Sequence, residues 1–163
     1  MTQGESGPVQ SSVAGVDPDR LFKEALFYLQ RSEPNMAAHV LRRILELKPR
    51  DPRCLSYLGL CMAMVNRRSN EAVELCNEAL KAGYYDAVYY RNLGKVYLLR
   101  GNRRRAFAAF VSGLKVEPRN RDIIKELRSM GLRQGSVFST LPRSHGVNRF
   151  AGRVRYMLRR LFA

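Results

Sequence analysis

Three kinds of side chain in this sequence could do chemistry: thiols, imidazoles and paired carboxylates. Cys54 and Cys61 are seven residues apart in a predicted helix, which separates them by about 10 Å and is too far for a disulfide. No cysteine pair has Cys-x-x-Cys spacing, and His39 and His145 are isolated. The pattern therefore predicts buried, reduced thiols, with Cys76 in the core, and no metal site.

Carboxylates at helical spacing are the remaining candidates for acid–base chemistry. Glu71, Glu74 and Glu78 are separated by three and four residues, so they share one face of a helix. Such a row is far more often a solvated face than a catalytic pair. The sequence also has no glycine-rich phosphate loop and no nucleophile elbow. We therefore expect a protein that is not an enzyme and that needs no cofactor.

Charge is the strongest signal in the composition. The 163-residue chain has a formal net charge of +15, and eight arginines but no acidic residue follow Glu126. This balance favours nucleic acid, an anionic membrane or an acidic protein as the partner. The sequence starts with neither the basic segment nor the apolar run of a secretory signal, and no apolar run has the length of a spanning helix. We therefore expect a cytoplasmic protein.

The elements that must position these residues are helical hairpins. Apolar periodicity and capping residues predict three pairs of helices, and then a seventh helix that covers the last pair with Ile123, Ile124 and Leu127. The predicted helices span residues 19–31, 35–47, 52–65, 70–82, 86–100, 103–116 and about 120–130. Because one hairpin cannot bury its own apolar face, the pairs must stack on one another.

The three hairpins repeat in register. Leu93-Gly94 follows Leu58-Gly59 by 35 residues, and Glu24-Ala25 precedes the latter by 34. Three more sets of residues occupy equivalent positions of the three repeats: Ala37, Ala72 and Ala106; Leu41, Cys76 and Phe110; Ile44, Ala79 and Gly113. Small residues such as Gly94 predict a close approach of two helices. The one extra residue of the middle repeat fits in its turn, at residues 66–70.

This spacing resembles the bacterial-type tetratricopeptide repeat (TPR) family, whose period is about 34 residues. The resemblance covers Pro18 to about Asn120 and implies an all-α fold, a right-handed superhelix of three hairpins with a capping helix. The implied division is a disordered leader (1–16), a TPR domain (17–131), a linker (132–146) and a basic amphipathic tail helix (147–163). Within the domain we expect repeats at 18–51, 52–86 and 87–120 and the capping helix at 120–131.

The resemblance also implies a binding site, because the first helices of TPR repeats line a concave groove that holds a partner segment. When the repeats of this sequence are aligned with those of the family, the groove positions fall on Phe22, Leu26, Leu29, Tyr57, Leu60, Met64, Arg91, Asn92, Lys95 and Leu99. That surface would be apolar at one end and basic at the other. It suits an apolar or amphipathic protein or peptide segment with some acidic character. Alternatively, some of these residues only pack between repeats.

The implied function is that of a protein-binding adaptor or scaffold. The positions of the family's carboxylate clamp carry Phe22, Leu26, Tyr57, Val88 and Asn92. Since only Asn92 is polar, we do not expect the carboxyl-terminal tails of chaperones as ligands. Two alternatives remain: a membrane-peripheral scaffold, and a protein similar to the three-repeat secretion chaperones.

The tail helix predicted at 147–162 is strongly amphipathic. One face carries Phe150, Val154, Met157, Leu158 and Leu161, and the opposite face carries Arg149, Arg153, Arg155, Arg159 and Arg160. Four roles are open: a cap on the chain's own repeats, a helix on an anionic membrane, docking to a protein partner, and nucleic-acid binding. The last is the least favoured, because the sequence contains no known nucleic-acid motif.

Overall fold

The computed structural model describes residues 17–83 and 85–131, and every regular element in these two ranges is an α-helix. Consecutive helices pair as antiparallel hairpins, and each hairpin packs on the next. The seven helices are α1 (Pro18–Gln30), α2 (Pro34–Leu47), α3 (Pro52–Val65), α4 (Asn70–Ala82), α5 (Ala87–Leu99), α6 (Arg103–Val116) and α7 (Arg121–Ser129). All of these bounds lie within one residue of the predicted ones.

The predicted leader, linker and tail helix lie outside the described residues, as do all ten tail residues given above. The proposed domain boundaries therefore stay predictions. The all-α fold of three hairpins followed by a capping helix is confirmed.

Local sequence explains where most helices begin. The side chains of Asp51, Ser69 and Asn120 each accept hydrogen bonds from backbone amides of the following helix. These bonds satisfy donors that the first turn of a helix leaves without a partner. Pro18, Pro34 and Pro52 occupy first-turn positions, where the missing amide hydrogen costs nothing.

The turns within the hairpins follow from a few residues. The turns at 31–33 and 100–102 have three residues, whereas the middle turn at 66–69 has four, where the extra residue was expected. Gly101 has a φ of 74°, a left-handed conformation that glycine adopts without strain. Ser32 adopts a φ of 60° at the equivalent place in the first repeat, which is more costly for a residue with a side chain.

The core includes the residues that recur at equivalent positions of the three repeats. Ala37, Ala72 and Ala106 are fully buried, as are Leu41, Cys76 and Phe110. Gly59 and Gly94 lie where helices come closest: a Cβ atom on Gly59 would lie 2.7 Å from the carbonyl oxygen of Ala72. Glu24 is exposed, whereas Leu58 and Leu93, which occupy the same position in the later repeats, are buried. The first repeat thus presents a polar end to solvent, as terminal repeats do.

Helix α7 closes the other end of the stack. Ile123 and Leu127 are fully buried in a cluster with Phe110 and Leu114 of α6, while Arg121, Lys125 and Arg128 are exposed. The prediction of a capping helix is therefore confirmed. No helix in the described ranges combines the length and the apolar character needed to cross a bilayer.

Candidate functional site

Side chains from successive first helices meet along one surface, which we call the inner face: the row of contacts that joins α1, α3, α5 and α7. At its α1 end, the Arg53 guanidinium donates to Asp19, one repeat earlier, at 3.0 Å. Arg53 also lies over the ring of Phe22, 5.1 Å from its centroid. The Phe22 ring meets Tyr57 edge-on, with centroids 5.4 Å apart.

The same row continues to the capping helix. The Arg91 guanidinium donates to the hydroxyl of Tyr57 at 3.3 Å and forms an ion pair with Asp122 of α7. One turn further along α5, the Lys95 ammonium lies 4.0 Å from the carboxylate of Glu126. Because each contact joins two different helices, the inner face is continuous across the three repeats and the cap.

Most of the predicted groove residues are partly exposed. Eight of them have intermediate exposure, which leaves part of each side chain open to a partner: Phe22, Leu26, Leu29, Tyr57, Met64, Arg91, Lys95 and Leu99. Five of these, Phe22, Leu29, Tyr57, Met64 and Leu99, also pack against core clusters. Whether the eight bind a partner stays a prediction.

Two of the predicted groove residues are in the core instead. Leu60 is 4% exposed and packs with Ala72, Leu93 and Val96. Asn92 is 0% exposed, and its amide nitrogen donates to the Ser56 hydroxyl at 3.0 Å. In this structure both side chains are therefore buried between repeats, the arrangement that the alternative interpretation describes.

The cations of the inner face pair with acids that sequence reasoning did not assign. Arg53 at the α1 end pairs with Asp19, whereas Arg91 and Lys95, which form the expected basic end, pair with Asp122 and Glu126. Only the first pair could have been found from sequence, because its members are 34 residues apart, the length of one repeat. The other two depend on how α7 lies across α5.

Asp51 ties the Arg53 side chain to the start of α3. Its carboxylate accepts from the Arg53 guanidinium at 3.1 Å and from the backbone amides of Arg53 and Cys54. Burial by itself would raise the pKa of Asp51, but these hydrogen bonds outweigh that effect and hold the pKa below its usual value. Arg53 is therefore held in place against the ring of Phe22.

The thiols and carboxylates considered as reactive groups lie in the core and on an exposed helix face, respectively. Burial raises the pKa of Cys54, Cys61 and Cys76 to about 12, so at neutral pH these thiols are protonated and unreactive. The described residues contain no group of three His, Cys, Asp or Glu side chains that could hold a metal ion. The carboxylates of Glu71, Glu74 and Glu78 are exposed and make no ion pair with another described residue.

Two open depressions in the described part of the chain lie outside the inner face. One of about 490 Å³ lies between the turn before α5 and the end of α6, with Tyr89, Val116 and Glu117 among its lining. Another of about 300 Å³ lies beside Glu74, Tyr97 and Arg105. Neither depression is lined by any of the predicted groove residues.

Comparison with known proteins identifies the fold. No protein-family model and no curated protein matches the sequence. Among solved structures, the first TPR domain of human RPAP3 matches with a TM-score of 0.62 at 17% identity, over 74% of this chain and 94% of that one.

Two further solved structures have the same arrangement. The second TPR domain of human RPAP3, in complex with the HSP70 peptide SGPTIEEVD, has a TM-score of 0.55 at 14% identity, over 70% of this chain and 98% of that one. The Yersinia enterocolitica type III secretion translocator chaperone SycD has a TM-score of 0.56 at 14% identity, over 88% and 92%. At such low identity these likenesses establish a shared fold, which is that of TPR proteins.

Proposed function

We propose that this chain, with its TPR fold, is a non-catalytic protein-interaction module that holds an apolar or amphipathic partner segment on its inner face. The observation that carries the proposal is the continuous, partly exposed row from Phe22 through Tyr57 to Arg91. Aromatic and arginine side chains of this kind dominate binding energy in protein interfaces. The complex of the second RPAP3 domain with an HSP70 peptide supports a peptide ligand for this fold.

The chemistry of the inner face defines the segment that it would accept. Phe22, Leu26 and Leu29 of α1 supply an apolar surface, and Met64 and Leu99 extend it across the next two repeats. Arg91 and Lys95 provide cations at the far end, each beside a carboxylate of α7. A helix or extended strand with apolar residues on one side and a few acids would match both parts.

The test uses matched pairs of substitutions on two faces of the molecule. Peptides that bind the purified protein would be selected from a random library, and their affinities measured by fluorescence anisotropy. The double variant Leu26→Gln/Met64→Gln should weaken binding at least about tenfold, because each side chain gives up apolar contact area. The control variant Met36→Gln/Leu47→Gln changes the same residue types at exposed positions outside the inner face.

The comparison of the two variants decides the proposal. Equal loss of affinity in both, or no loss in the inner-face variant, would place the binding site elsewhere. Thermal melts of both proteins show whether either substitution acts through folding.

A second candidate role is attachment to an anionic membrane surface through residues 147–162. The observation that favours it is the sequence pattern of an apolar face opposite five arginines without any acid. On this proposal the protein works in the cytoplasm, either free or bound at the membrane surface. The buried, free thiols of the described part are consistent with a reducing compartment.

A further inference from the structure

Two carboxylates of the capping helix lie on two cations of the inner face. Arg91 pairs with Asp122, and Lys95 pairs with Glu126. Arg91 and Lys95 are four residues apart on α5, so both cations lie on one face of that helix. Asp122 and Glu126 are four residues apart on α7, so both acids likewise lie on one face. The capping helix thus presents to α5 the charge pattern that an acidic helical ligand would present.

The two sides of the Arg91–Asp122 pair differ in how firmly they are held. The Arg91 side chain is 19% exposed and is fixed by the Tyr57 hydroxyl, whereas the Asp122 side chain is 66% exposed. The buried Nε of Arg91 has no acceptor among the described residues. A largely buried guanidinium facing an exposed carboxylate is a receptor whose anion can be exchanged at little cost in packing.

We propose that Asp122 and Glu126 are internal competitors for the cations of the inner face, and that a carboxylate-bearing partner binds by displacing them. This inference rests on the proposed function, because it concerns the same surface. The partner's acids form new ion pairs with Arg91 and Lys95, while Asp122 and Glu126 are released to solvent. Neutral apolar segments bind without this exchange, so the capping helix sets how far the groove discriminates against acidic ligands.

The expected size of the effect follows from the nature of the pairs. An acid attached to the same folded chain competes at a high effective concentration, but each partly exposed pair is individually weak. Removal of both competing charges should therefore strengthen the binding of an acidic ligand about tenfold, a factor that corresponds to about 1.4 kcal/mol. At 1 M salt, where the Debye length is about 3 Å, the difference should fall below about twofold.

The experiment compares Asp122→Asn/Glu126→Gln with the unaltered full chain. The probes are two short fluorescein-labelled peptides, one of alternating leucine and glutamate and one with glutamine in place of glutamate. The control variant Glu71→Gln/Glu78→Gln removes the same number of charges from exposed positions of α4. It therefore corrects for the change in net charge, and circular dichroism melts verify that both variants are folded.

The expected result is that the leucine–glutamate peptide binds the α7 variant about tenfold more tightly than the unaltered protein and the α4 variant. The leucine–glutamine peptide should bind all three proteins within about twofold. Equal affinity of the acidic peptide for the α7 and α4 variants, or no detectable binding of it to the α7 variant, would overturn the inference. The proposed function fails separately, if the leucine–glutamine peptide binds Leu26→Gln/Met64→Gln as tightly as the unaltered protein.

Discussion

Gly94 shows how a single residue sets the spacing of a repeat. A Cβ atom at this position would lie 2.6 Å from Cδ1 of the fully buried Phe110, well inside van der Waals contact. The helices α5 and α6 can approach this closely only because the side chain is absent. Gly59 has the same role against α4 in the preceding repeat.

Replacement of Gly94 should therefore destabilise the fold. We expect Gly94→Ala to lower the free energy of unfolding by about 1–3 kcal/mol through overpacking, and Gly94→Leu to lower it further. Urea denaturation followed by circular dichroism measures the change. The double variant Gly94→Ala/Phe110→Leu should recover part of the loss, and an unchanged midpoint for Gly94→Leu would mean that α5 and α6 do not pack through this residue.

The buried thiols provide a second prediction at the level of residues. With pKa values near 12 in the folded chain, Cys54, Cys61 and Cys76 should react with iodoacetamide at pH 8 only through unfolding. In the unfolded chain they ionise near pH 9, so stability should fall as pH rises from 9 towards 12. Mass spectrometry of alkylated protein, with and without urea, checks the first expectation, and rapid labelling of the native protein would contradict it.

At the scale of the element, each first helix is fixed at its amino terminus by an acidic cap. Asp51 caps α3 and also binds Arg53, whereas Asp86 caps α5 through the amide of Val88 at 2.8 Å and makes no ion pair with a described residue. Arg53 in turn contacts Asp19 and Phe22. The start of α3 is therefore coupled to α1, while the cap of α5 acts locally.

This difference predicts unequal effects of two similar substitutions. We expect Asp51→Ala to cost about 2 kcal/mol and Asp86→Ala about 1 kcal/mol or less, because only Asp51 combines capping with a guanidinium contact. The pKa of Asp51 is lowered, so its contribution is present at neutral pH and is lost as pH falls below about 4 through the folded-state value. Denaturation at pH 7 and at low pH measures this, and equal costs for both variants would refute the coupling.

At the scale of the whole molecule, positive charge is unevenly distributed. The inner-face cations Arg53, Arg91 and Lys95 have acidic partners within the fold. By contrast, eight arginines follow the last acidic residue of the sequence. These residues therefore supply eight of the fifteen net positive charges, and they should account for about half of the long-range attraction of this protein for anionic surfaces.

The corresponding prediction concerns vesicles that contain anionic lipid. The full chain should sediment with them at low salt and a chain ending at residue 131 should not, since each basic side chain near such a surface contributes about 1 kcal/mol.

Replacement of Phe150, Val154 and Leu158 by serine should abolish binding, because the apolar face inserts. Replacement of Arg153, Arg155 and Arg159 by glutamine should remove mainly the salt-sensitive part. If the full chain stays in the supernatant at low salt, the membrane role is excluded.

The sequence by itself determined the local structure and the repeat. Caps, prolines and turn residues act within a few positions of one another, so the seven helices could be predicted to within one residue. The columns of small and apolar residues recur at a fixed spacing, and Ala37, Ala72 and Ala106 are buried as expected. For the same reason the resemblance to the TPR fold could be recognised from the residues alone.

Only the tertiary structure decided which inner-face residues are accessible and how they are charged. Helix α3 is apolar on several sides, so its periodicity does not distinguish core-facing Leu60 from partly exposed Met64. Asn92 is polar, yet its hydrogen bond to Ser56 of the preceding repeat allows it to be buried. The pairing of Arg91 and Lys95 with α7 depends on the angle at which α7 lies on the last repeat. That angle results from the packing of whole helices, which no local pattern in the sequence encodes.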